Sequence, residues 1–86
     1  MSVKVMAKVF DLDIKPTQKL VLLSLADHAD NDGHCYPSVA RLAKRTGLSE
    51  RAVQANLRAA QADGYLQVTP NAGPAGCNRY TVTPAG

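Results

Sequence analysis

The side chains able to bind a metal, move a proton or hold an anion fall into two neighbourhoods. In the first, His28, His34 and Cys35 lie close together among Asp27, Asp30 and Asp32, and Cys77 could approach from a distant segment. Histidine and cysteine are zinc ligands, but sequence-legible zinc sites carry closely spaced ligand pairs, and neither cysteine belongs to one. The run from His28 through Asp30 and Asp32-Gly33 has the alternating oxygens of a calcium loop, yet Val39 stands at the twelfth position, where a bidentate glutamate is needed. Nor is there a phosphate-cradling glycine loop or a nucleophile paired with a base, and Glu50 is the only glutamate. The chain is therefore expected to have no catalytic residues, metal, cofactor or small-molecule substrate. His28 fits a helix end, where a protonated imidazole is favoured, and the two cysteines fit free thiols in a reducing compartment.

The second neighbourhood runs from Ser38 to Arg58. Arg41, Lys44, Arg45, Arg51 and Arg58 stand there against Glu50 alone, in a chain whose net charge is only +3. Charge concentrated over one segment is what a polyanion-binding face requires, although an ordinary solvated face has the same composition.

The elements that must position these cations can be read in order. The 86 residues, 45% of them apolar, suffice for one modest core and one domain. No apolar run approaches the ~18 residues that span a bilayer, and no basic-then-apolar leader opens the chain, so a cytoplasmic protein without membrane contact is expected. Residues 1–15 form an arm or short element, within which Val3 to Phe10 is compatible with an edge strand, an extended arm or a short helix. Pro16 suits the first turn of a helix over 16–29, whose broad apolar stripe (Leu20, Val21, Leu22, Leu23, Leu25, Ala26) must face a core or a partner. Asp30-Asn31-Asp32-Gly33 favours a turn.

Ser38 is placed to cap a short second helix ending near Thr46, and Ser49 to cap a third over 49–63, closed by Gly64. The intervening Thr46-Gly47-Leu48-Ser49 is the tight reversal of a helix-turn-helix unit, with Leu48 plugging the core. Residues 65–69 and 79–83 alternate on either side of a glycine- and proline-rich loop, the pattern of a β-hairpin, and residues 84–86 have the composition of a linker.

In the third helix Val53, Leu57 and Ala60 recur at i, i+4 and i+7, so they face inward and Glu50, Arg51, Gln54, Ala55 and Arg58 face outward. Arginine pairs bidentately with guanine and glutamine with adenine, which makes Arg51 and Gln54 the expected base contacts. Ser38, Lys44, Ser49 and Arg58 suit phosphate contacts, helped by exposed amides at helix N-termini.

The order helix, helix, turn, helix, hairpin resembles the winged helix-turn-helix domains of bacteria and their phages, and especially the N-terminal domain of phage and plasmid replication initiators. The resemblance is carried by Phe10-Asp11-Leu12, by Pro16-Thr17-Gln18-Lys19-Leu20-Val21-Leu22-Leu23 and by Ala26-Asp27-His28-Ala29. It continues through Asp32-Gly33, Tyr36-Pro37-Ser38 and Thr46-Gly47-Leu48-Ser49-Glu50-Arg51 to Gly64-Tyr65-Leu66 and Asn78-Arg79-Tyr80. It implies an α+β, mainly α fold with a three-helix core and a C-terminal hairpin wing over 16–83, and double-stranded DNA as the partner, in replication initiation or transcriptional control.

Two departures stand out. Relatives usually carry threonine followed by two arginines early in the recognition helix, where this chain has Ala52, Gln54 and Ala55. Its wing tip, Asn71 to Gly76, also lacks the usual basic residues, leaving Arg79 as the only wing cation. Few cations mean modest affinity and a shallow salt dependence for one copy. Homodimerisation through residues 3–10 and the first helix would compensate. The alternative function is protein docking or dimerisation on the same fold, although an interface helix more often presents apolar anchors than Arg51 and Arg58.

Overall fold

The computed structural model describes residues 3–30 and 34–84. The centre of the expected turn, Asn31 to Gly33, and the last two residues of the expected linker, Ala85 and Gly86, lie outside the described residues. Of the three readings open for the first segment, the helix is the one found: α1 spans Val3–Phe10. Val5 and Val9, one turn apart, face the core, where Val9 is fully buried. Lys19 donates to the Phe10 carbonyl at 2.9 Å, supplying a partner to the helix end.

The second helix, α2, spans Pro16–His28 with proline in its first turn. It contacts α1 on one side and the remaining helices and two strands on the others, which accounts for its wide apolar stripe. Val21, Leu22, Leu25 and Ala26 are fully buried, and Gln18 is 4% exposed. The short strand β1, His34–Cys35, follows. Asp30 and His34 close the connection with two bonds of 3.0 Å, one accepted by the Asp30 carboxylate and one donated by its backbone N–H.

α3 spans Val39–Thr46 and α4 spans Glu50–Ala62. Both serine caps form as expected: Ser38 Oγ accepts from the Arg41 N–H and Ser49 Oγ from the Ala52 N–H, each at 3.1 Å. Between them Gly47 takes φ +77°, a left-handed conformation open to glycine at little cost. Thr46 Oγ1 donates to the Leu42 carbonyl at 2.7 Å and accepts from the Leu48 N–H at 3.3 Å, stitching the reversal together. α4 ends in paired bonds, Tyr65 N–H to the Ala60 carbonyl and Gly64 N–H to the Gln61 carbonyl, the Schellman pattern.

β2, Leu66–Thr69, and β3, Arg79–Val82, form the expected hairpin, each one residue shorter than the alternation implied. The flanking residues still take part, since Thr83 N–H donates to the Tyr65 carbonyl at 2.9 Å. β1 adds to the free edge of β3, giving an antiparallel sheet of order β1-β3-β2. The fold is thus the mainly helical α+β architecture expected, with a fourth helix and a third strand beyond three helices and a hairpin. The core joins Val9, Leu22, Leu25, Leu42, Val53, Leu57, Leu66, Tyr80 and Val82.

Candidate nucleic-acid interface

α4 is held on both flanks. On its α2 side Gln18 Nε2 donates to Asp63 and Thr17 Oγ1 to Asn56, each at 3.2 Å, while the Asn56 amide is anchored to the Ala52 carbonyl at 2.8 Å. On the other side it abuts β2. Val53, Leu57 and Ala60 are buried and Leu48 is partly buried against the core. Helical geometry then turns Glu50, Arg51, Gln54, Ala55 and Arg58 outward, and all five are exposed. Ser38, Lys44 and Ser49 are exposed as well, at the start and outer side of α3 and at the start of α4.

The five cations of the basic stretch do not act as one patch. Arg45 forms an ion pair with Asp27, and its Nη1 lies 3.4 Å from His28 Nε2, to which Arg41 Nε donates at 3.1 Å. His28 Nδ1 is 2.9 Å from the Ser24 carbonyl, so Nδ1 carries the proton and Nε2 accepts. His28 is the last residue of α2, the helix-end place expected of it, and there it accepts from Arg41 and fastens α3 to α2. Lys44, Arg51 and Arg58 have no side-chain hydrogen bond or ion pair among the described residues, and these three remain available to an anion. Sequence reasoning counted all five because nothing local marks Arg41 and Arg45 as partners of a preceding helix.

Arg79 departs from expectation in its surroundings. It pairs with Thr69 across the hairpin, while Tyr80 pairs with Val68. Tyr80 is buried on the core side, so strand alternation puts Arg79 on the opposite face, where its Nε is buried without a partner among the described residues. Asn78, just before β3, lines with Val68 and Tyr80 of the hairpin a cleft whose α4 wall includes Gln54, Arg58 and Gln61. Neither Asn78 nor Gln61 was read from the sequence as a DNA contact, although counting two residues back from Tyr80 would have pointed to Asn78.

The wing loop folds back onto the domain. A Cβ on Gly73 would sit 2.6 Å from Tyr36 Cδ1 and 2.7 Å from Cys77 Sγ, so only glycine allows this approach. Among the described residues no group of three or more His, Cys, Asp or Glu side chains is arranged to hold a metal. Cys35 lies in the core with Sγ 3.7 Å from the Tyr80 carbonyl, and burial, reinforced by the charge of Asp30, pushes its pKa up to about 12. It stays a thiol, and Cys77 is free and exposed. No helix among the described residues is long and apolar enough to cross a membrane.

Known structures share this fold. Among solved structures the chain is similar to a zinc-responsive MarR family member, ZitR of Lactococcus lactis. The TM-score is 0.62 at 19% identity, with 85% of this chain and 46% of that one covered. It is also similar to BpsR of Bordetella bronchiseptica, a protein whose DNA binding is regulated by 6-hydroxynicotinic acid. There the TM-score is 0.60 at 24% identity, with 94% and 60% covered. At such identities the likeness is one of fold, the winged helix-turn-helix, and the chain spans less than two thirds of either structure. A comparison with curated protein sequences finds no match. Residues 12–66, from just after α1 to the start of β2, match a family model described as a helix-turn-helix domain. The chain belongs to this helix-turn-helix family.

Proposed function

We propose that the domain binds double-stranded DNA sequence-specifically, with α4 in the major groove, and serves a transcriptional regulator or a phage or plasmid replication initiator. The observation that carries this reading is the outer face of α4, exposed and, among the described residues, without side-chain partners at Arg51, Gln54 and Arg58. Arg51 and Gln54 read base edges, while Lys44, Arg58, Ser38 and Ser49 hold phosphates. Glu50 and Ala55 border the contact without an assigned base. Arg79, on the far face of the wing, contributes charge rather than a contact beside α4. Regulation fits the neighbouring MarR member and BpsR, and replication fits the initiator resemblance of the sequence. A docking role for the same helix is disfavoured because its outer face offers arginine and alanine rather than buried aromatic anchors.

Lys44→Ala separates the two kinds of contact. Duplex binding by this variant, followed over a salt series, should weaken on every sequence alike, and the slope of log K against log salt should fall by about 0.9. A loss confined to one sequence would make Lys44 a base reader.

The reading extends to two copies per site. Val3 is 71% exposed, Phe10 58% and Leu20 41%, so α1 and α2 leave large apolar side chains uncovered. Three unpartnered cations on the α3–α4 face of each copy give little electrostatic affinity, which a second copy doubles. In sedimentation equilibrium the chain is expected as a dimer and Phe10→Glu as a monomer. A monomeric wild type that also protects only a single copy's footprint on DNA would refute dimerisation.

A further inference from the structure

We infer that one DNA strand runs through the cleft between α4 and the hairpin, and that Asn78 and Gln61, two uncharged residues, hold its sugar–phosphate backbone there. The inference rests on the DNA-binding reading above and adds contacts to it. Gln54, Arg58 and Gln61 stand at i, i+4 and i+7, forming a single stripe along the wall that α4 gives to the cleft. The facing wall is the hairpin, where Asn78, the residue before β3, lines the cleft together with Tyr80. All four polar side chains are exposed and none has a side-chain hydrogen bond among the described residues. The floor includes Val68, which is half-buried.

This combination matches a sugar–phosphate strand. Amide N–H groups and a guanidinium donate to phosphate oxygens, and the apolar floor accepts the C–H face of a deoxyribose. With α4 in the major groove, the strand bordering that groove is the one that meets the hairpin. The wing therefore engages DNA through a neutral amide, and its lack of basic residues at the tip does not leave it idle. Because these donors are uncharged, they release no counterions, so their contribution is independent of salt.

The experiment measures equilibrium binding of the full 86-residue chain and of Asn78→Ala, Gln61→Ala and Asn78→Lys to a selected duplex and a random duplex over a salt series. Circular dichroism confirms that each variant is folded. Asn78→Ala and Gln61→Ala are each expected to weaken binding about tenfold, the low end for a neutral donor on a charged acceptor, equally on both duplexes and with the wild-type salt slope. Asn78→Lys is expected to tighten binding and steepen the slope by about 0.9. Unchanged affinity in both alanine variants, a loss confined to the selected duplex, or an unchanged slope in Asn78→Lys would each overturn the inference. A wild type that binds neither duplex would instead overturn the DNA-binding reading itself.

Discussion

Replacing Leu22 with alanine is expected to lower the unfolding free energy by about 2–5 kcal/mol, measured by urea denaturation followed by far-ultraviolet circular dichroism. Leu22 is fully buried in the middle of α2, the helix that touches every other helix. Truncation loses the transfer free energy of the removed methyl groups and leaves a space that helices on several sides cannot close together. Domains of this size have roughly 5–15 kcal/mol of stability in all, so a large fraction would be unfolded at moderate temperature. Leu22→Met, which conserves volume, should cost less than about 1.5 kcal/mol. A loss below about 1 kcal/mol for the alanine variant would mean that α2 is not the central packing element described above.

Arg51→Ala is expected to leave folding intact and reduce binding to the selected DNA site by about 1–3 kcal/mol, roughly fivefold to a hundredfold. The side chain is exposed and bonds to nothing else among the described residues, so its removal creates neither a cavity nor an orphaned partner. The loss should be accompanied by relaxed preference at one base pair, since a bidentate arginine–guanine pair is what discriminates there. Binding to a panel of single-base variants of the site reads this directly. Equal losses on the selected site and on random duplex would move Arg51 from base reading to backbone contact.

What the sequence disclosed and what it hid divide along a physical line. Ser38, Ser49, Gly47 and Gly64 act on backbone groups within a few residues of themselves, and each sits where local reasoning put it. The inward set Val53, Leu57 and Ala60 was legible for the same reason, because helical periodicity is a local property. The nature of residues 3–10 was not, since a short valine-rich segment is decided by the groove that α2 offers it rather than by its own propensity. β1 is too short to show alternation and exists because β3 has a free edge.

The same holds for the charges. Arg41 and Arg45 look like Lys44 in sequence, and only the Asp27–His28 corner, more than a dozen residues earlier, gives these exposed side chains intramolecular partners. In the wing, the eye goes to the cation Arg79, but strand parity against Tyr80 turns that residue away from α4 and brings Asn78 to it. Chemistry named the residue types; the pairing of distant elements decided which of them can reach a ligand.

The central claim is that the outer face of α4 reads DNA sequence, and fluorescence anisotropy of labelled duplexes tests it most directly. The wild-type chain is titrated against origin and promoter fragments of its own genome and against random duplex, at several salt concentrations. Selective binding to a subset of fragments, with a slope of about 2 per bound copy from Lys44 and Arg58, is the expected result. The fragment class that binds then distinguishes replication from transcription. A folded chain that binds no duplex at low salt, or binds all of them equally, would contradict the account.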